Sequence, residues 1–219
     1  MNKYRLAITV VLFSVAFAFV ESSVVVYLRD LYYPEGFVFP LKPIGTGHIL
    51  VELFREFSTI IMLVSIGWLA GTTHWQKMAW FMISFSIWDI FYYVWLKAIL
   101  NWPTSVFDWD VLFLIPVPWI GPVIAPVLIS ILLIVAGALI LRRENTEGGF
   151  RAPQLAWWLA IAGTLCVLYS FTRDTAATME FAPPQRYWYW LFFVGFGFYF
   201  GGLLVAFSGE SRRLDRGAD

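Results

Sequence analysis

The sequence predicts an all-α polytopic membrane protein, a bundle of about six transmembrane helices. Two observations predict it. Hydrophobic residues make up 60% of the 219 and charged residues 14%, whereas a soluble domain is about 45–50% apolar and about 25% charged. The mean hydropathy is +0.72. A soluble chain of this size needs far more polar surface to cover its core, and a bilayer removes that need. The second observation is six mainly apolar stretches, at about 6–28, 49–71, 76–100, 120–141, 153–172 and 187–208. Each is close to the roughly 20 residues that a membrane crossing takes. The connections are short, with no repeat or low-complexity segment, so residues 1–219 read as one integral membrane domain.

Lys3 and Arg5 precede the first stretch, and Ala16-Phe17-Ala18 mimics a signal-peptidase site. The apolar pattern continues past it to Leu28, so the segment reads as a membrane helix rather than a leader. Residues 29–48 hold Tyr32, Tyr33, Pro34, Gly36, Pro40, Pro43, Gly45 and Gly47, the composition of an ordered, non-helical loop. Residues 101–119 read NWPTSVFDWDVLFLIPVPW. The apolar part, Val111 to Trp119, is too short to span and is broken by Pro116 and Pro118. The chain near 109–119 is therefore expected to form an interfacial or re-entrant piece, or an outer loop folded onto the membrane surface. In the last stretch, Gly197-xxx-Gly201 is expected to serve helix packing inside the bundle or an oligomer contact, because small residues let helices approach closely.

Lys and Arg placement predicts orientation. One side carries Lys3, Arg5, Lys77, Arg142, Arg143, Arg151, Arg212, Arg213 and Arg216; the other carries Arg29, Lys42, Arg173 and Arg186, with Lys97 near its helix end, nine against five. Both termini are then expected in the cytoplasm of a multi-pass cell-membrane protein. Trp75, Trp80, Trp157 and Trp158 fall at the inner interface, and Trp102, Trp109, Trp188 and Trp190 at the outer one.

The charge is unevenly distributed. The first three stretches contain Glu21, Glu52, Arg55, Glu56 and Asp89; the central parts of the last three contain no ionisable acid or base. Each intramembrane charge costs about 2.5–3.5 kcal/mol on insertion scales. At about 1.5 Å per residue, Glu21, Glu56 and Asp89 all fall roughly 10–17 Å below the outer ends of their helices. His48, Glu52 and Glu56 are spaced i, i+4, i+8, and Arg55 shares their face; Ser86, Asp89, Tyr92 and Tyr93 share one on the third helix, with Lys97 just beyond. These patterns predict one polar chamber in the outer half of helices one to three. Four carboxylates and one arginine leave an excess of negative charge, which protonation, the rim cations Arg29 and Lys97, or a divalent metal on His48, Glu52, Glu56 and Asp89 would relieve. Tyr92, Tyr93, Lys97 and Arg29 are the further ligand-binding candidates. The competing structural reading is an ion-pair network of Glu52, Arg55 and Glu56 that fixes helix packing. Asp108 and Asp110 read as caps or solvated residues, or as groups at the chamber mouth. His74 lies in an inner connection and is given no role.

Several chemistries are excluded. Zero net charge and the absence of a basic stripe argue against nucleic acid. The single cysteine, Cys166, forms no internal disulfide and reads as a small buried residue. No HExxH, GxGxxG, P-loop, CxxC or GxSxG motif is present. Three functions stay open. The first is a membrane-embedded enzyme or binding site, open to the extracytoplasmic side, for a lipid-like or small polar ligand. The others are an accessory or scaffold subunit, in a homo-oligomer or larger membrane complex, and a proton- or ion-coupled transporter.

Overall fold

The computed structural model describes residues 3–42, 45–146 and 149–208. Pro43, Arg212, Arg213 and Arg216, used above for the first loop and for orientation, lie outside the described residues. Six long helices dominate: α1 (Lys3–Tyr32), α2 (Thr46–Ala70), α3 (His74–Leu100), α4 (Ile124–Glu144), α5 (Gln154–Thr172) and α7 (Tyr189–Ser208), with a five-residue α6 (Thr175–Met179) after α5. Five segments are long and apolar enough to cross a membrane: α1, α3, α4, α7, and α5 taken together with α6. α2 is of comparable length, but it carries Glu52, Arg55 and Glu56 in its first half and is not among them.

Local chemistry explains the boundaries. α1 runs past Leu28 because nothing before Pro34 breaks it. α3 begins at a cap in which the Thr73 hydroxyl accepts from Gln76 N, while Gln76 Oε1 accepts from Thr72 N. It ends at Asn101, whose φ of 52° is the left-handed conformation that Asn tolerates. Pro126 sits in the first turn of α4, where its missing N–H has no helical partner to lose.

The all-α expectation needs one correction, and it falls on residues 109–119. These are not a plain loop, and the chain here is not helical. They form β1 (Trp109–Phe113), which pairs antiparallel with β2 (Trp119–Pro122), Asp110 opposite Gly121 and Val111 opposite Ile120. Pairing satisfies the backbone, so a segment too short to span can still sit against the bundle. The same hairpin moves the start of the fourth helix from 120 to Ile124. On one side Trp119 stacks on Phe171 of α5 at 6.3 Å, and the Thr175 hydroxyl donates to Pro118 O at 2.6 Å. Gly121 lies under Phe171, where a Cβ would come within 3.1 Å of the ring.

α3 is the central helix: α1, α2 and α4 all pack on it, whereas α1 and α2 touch each other little. A Cβ on Gly137 of α4 would stand 2.8 Å from Ile83 Cγ1 and 2.9 Å from Ala79 O, so this glycine permits the α3–α4 approach. α5 pairs with α7 through Gly163 and Gly195, where a Cβ on either would meet the other's carbonyl oxygen at 2.9 Å. The expected packing role of Gly197 is not realised: it faces open space, and Gly201 approaches only Leu159, at 3.9 Å. The closely packed glycines of α7 are Gly195 and Gly202, seven residues apart and so on one helical face. Between α3–α4 and α5–α7 lies an apolar cleft of about 290 Å³, lined by residues such as Met82, Leu133, Ala160 and Tyr199.

Candidate functional site

A second cavity, of about 190 Å³, lies among α1, α2, α3 and the hairpin. Helical spacing explains its walls. Glu52, Glu56 and Thr59 recur at i, i+4, i+7 on α2 with Arg55 between them, and Trp88, Asp89, Tyr92 and Tyr93 occupy two turns of α3. α1 contributes Glu21 and Arg29. The loop after α1 adds Tyr33, Phe37 and Lys42, and β1 adds Asp110 to Phe113.

Arg55 joins α1 to α2. Its Nε and Nη2 donate to Glu52 Oε2 at 3.0 and 2.7 Å, and Nη1 pairs with Glu21. The Thr59 hydroxyl donates to the other Glu21 oxygen at 2.5 Å. Glu21 is thus held by two residues of α2 across the seam where the two helices otherwise have little contact. Glu56 Oε2 accepts from Leu114 N at 2.8 Å, tying the hairpin to α2. Asp89 Oδ2 accepts from the Ser130 hydroxyl of α4 at 2.8 Å.

The other ion pair is deeply enclosed. Arg29 Nη2 donates to Asp110 Oδ1 at 3.1 Å, with Arg29 7% and Asp110 2% exposed. The Arg29 guanidinium lies 3.7 Å from the Trp102 ring centroid and 4.4 Å from that of Phe37. Arg29 Nη1 and Asp110 Oδ2 are nevertheless buried with no hydrogen-bond partner among the described residues. Burial pushes the Asp110 carboxyl up to about 6, while Arg29 and the facing Tyr93 pull the other way.

No family model, curated protein or solved structure matches the chain.

Of the residues singled out from the sequence, Glu21, Arg29, Glu52, Arg55, Glu56, Asp89, Tyr92 and Tyr93 line this one cavity. Lys97 does not. Its Nζ donates to Asn101 O at 3.3 Å and Pro103 O at 2.9 Å, fastening the end of α3. His48 pairs through Nδ1 with the Tyr32 hydroxyl at 2.8 Å on the exposed surface. The metal set His48, Glu52, Glu56 and Asp89 is not assembled, and no three His, Cys, Asp or Glu among the described residues converge as metal ligands. The physical reason is that each group is committed elsewhere: to Tyr32, Arg55, Leu114 N and Ser130 respectively.

Asp108 fits its expected capping role. It accepts from Thr104 N at 2.7 Å, from the Thr104 hydroxyl at 2.8 Å and from Ser105 N at 3.1 Å. Burial pushes its carboxyl up, but these bonds and nearby Lys97 hold it below the usual range. Asp110 overturns the reading as a cap or solvated residue: it is buried in the cavity wall. The run Trp109-Asp110-Val111-Leu112-Phe113 holds a single polar residue and no alternation, and in a strand Asp110 shares its face with Leu112, so the sequence did not mark this burial. Thr59 and Ser130 carried no signal either.

Proposed function

We propose that the protein crosses the membrane six times with both termini cytoplasmic, and that the α1–α3 cavity is a ligand-binding chamber open to the extracytoplasmic side. The observation that carries this reading is the convergence of five carboxylates and two guanidiniums, drawn from three helices and a hairpin, on one cavity. Charged groups at membrane depth are costly and mark ligand or ion sites by default. A network that served packing alone would satisfy its own atoms, yet Arg29 Nη1 and Asp110 Oδ2 have no hydrogen-bond partner of good geometry among the described residues. Carboxylates in distinct surroundings, Glu56 against a backbone N–H and Asp89 against a hydroxyl, also suit acid–base chemistry on a bound molecule. The seam between α1 and α2 offers a lipid-side entrance, lined near its outer end by Val25 and Leu28.

Native mass spectrometry of the protein released from its own membrane tests the reading. A small-molecule adduct is expected on the wild type and absent from Val25→Trp, whose indole fills the chamber. If no adduct forms, and replacing Glu52, Glu56 and Asp89 together by their amides leaves thermal stability unchanged, the chamber reading is wrong.

A further inference from the structure

We propose that the chamber binds an organic ammonium group, a protonated or quaternary amine, which is held between its carboxylates and its aromatic walls. This rests on the chamber reading above and adds the chemical class of the ligand.

Charge balance is the first argument. Five carboxylates line the cavity: Glu21, Glu52, Glu56, Asp89 and Asp110. Three cations do, namely Arg29, Arg55 and, exposed at the rim, Lys42. Both arginines are engaged, Arg55 with Glu21 and Glu52 and Arg29 with Asp110. Glu56 and Asp89 receive a backbone N–H and a serine hydroxyl, but neither is ion-paired among the described residues. An anion entering the cavity would add to this excess, whereas a cation relieves it.

The second argument concerns the kind of cation. The carboxylates are spread around the wall, each on its own partner, with no metal-like trio among the described residues. A small hard ion needs several oxygens at close range. A bulky ammonium instead takes carboxylates at longer range and the faces of aromatic rings. Trp88, Tyr92, Tyr93 and Phe113 line the cavity with aromatic rings, and Lys42 Nζ stands 5.2 Å from the Tyr33 ring centroid at its rim. The protein already places one cation this way, with Arg29 stacked on Trp102 and Phe37.

The third argument is the unpaired pair of atoms. Asp110 Oδ2 seeks a donor and Arg29 Nη1 an acceptor. An ammonium ligand that carries a hydroxyl, or brings a water with it, provides both. At about 190 Å³ the cavity is smaller than the roughly 300–1,000 Å³ typical of drug-sized ligands, so it fits a head group or a small amine. The same chemistry has two sources: a free amine entering past Lys42, or a lipid head group entering between α1 and α2.

The test titrates the purified protein, in uncharged detergent, with choline, its uncharged carbon isostere dimethylbutanol, and acetate, reading tryptophan fluorescence and thermal unfolding. Choline is expected to change both signals, and the isostere and acetate neither. Glu56→Gln and Asp89→Asn, made singly in case the double variant misfolds, are each expected to weaken choline binding by about tenfold. Nanodiscs with a trimethylammonium lipid, compared with an anionic lipid of the same chains, identify the source. Stabilisation by that lipid without a choline response supports the ammonium group and assigns it to a lipid. If the isostere or acetate acts as strongly as choline, and Val25→Trp abolishes the effect, the chamber stands and the ammonium proposal falls. If no probe and no lipid has an effect, the ammonium proposal falls, and the chamber stands or falls by the adduct test above.

Discussion

Asp110 and Arg29 illustrate how a buried pair differs from a surface one. Removing two charges from water costs several kcal/mol per ion even after relaxation, and one contact at 3.1 Å offsets only part of that. The carboxyl accordingly sits near 6 rather than 3.8, with burial as the main cause. A carboxyl whose folded value is raised contributes stability that is present below 3.8 and lost as the pH climbs through about 6. Asp110→Asn mimics the protonated acid. It is expected to match the wild type near pH 4 and to become the more stable of the two as pH rises through about 6, in thermal unfolding followed across that range. A parallel pH profile for the two proteins would remove the raised carboxyl from the account. At this scale helical spacing was informative, since Glu52, Arg55 and Glu56 need only 3.6 residues per turn to share a face. Asp110 was hidden because its burial depends on a strand pairing with residues about ten positions away, and Lys97 was misplaced because its long side chain folds back onto its own helix end.

The elements divide by what holds them. The hairpin is fixed from both sides, by Leu114 N on Glu56 and by Thr175 on Pro118 O. Its pairing is hard to read because Pro116 and Pro118, which break the apolar run and suggest an interfacial or re-entrant piece or a surface loop, equally suit the turn of a hairpin. α7 shows how far a small-residue motif can be trusted. Its glycines, Gly195, Gly197, Gly201 and Gly202, signal close approach somewhere. Which of them face the neighbour depends on how the helix is rotated, and only tertiary packing fixes that. Gly195→Ala places a methyl 2.8 Å from Val167 Cγ2 and 2.9 Å from the Gly163 carbonyl, and a backbone oxygen cannot swing aside. It is expected to cost about 1–3 kcal/mol. Gly197→Ala meets nothing within 4 Å and gains helix propensity of up to about 1 kcal/mol. Thermal unfolding of the two variants in the same detergent should therefore move in opposite directions, and equal losses would mean that α7 is rotated from the position described.

For the whole molecule the open question is how α2 lies. Its 25 residues extend about 37 Å, enough for the roughly 30 Å hydrocarbon core, and it packs along α3, itself a candidate span. Five crossings alone would leave the two termini on opposite sides, whereas a spanning α2 makes six and brings them together. Composition made the membrane class legible at once, because 60% hydrophobic and 14% charged residues depart far from the balance of a soluble domain. The path of α2 was less legible, since its three charges weaken the very signal that identifies a span. Three single substitutions in a Cys166→Ser background separate the cases: Glu35→Cys in the loop between α1 and α2, Thr72→Cys in the α2–α3 turn and Thr146→Cys after α4, all at exposed positions. Lys3 Nζ donates to Asn145 Oδ1 at 2.9 Å, so the start of α1 lies beside the end of α4, and a label on Thr146→Cys reports on the N-terminal side too. In intact cells a membrane-impermeant maleimide is expected to react with Glu35→Cys alone. Thr72→Cys and Thr146→Cys should react only after permeabilisation, as the Lys and Arg excess on that side demands. Labelling of Thr72→Cys as well as Glu35→Cys in intact cells would mean that α2 does not cross. Labelling of Thr72→Cys and Thr146→Cys but not Glu35→Cys would invert the bundle and turn the chamber toward the cytoplasm.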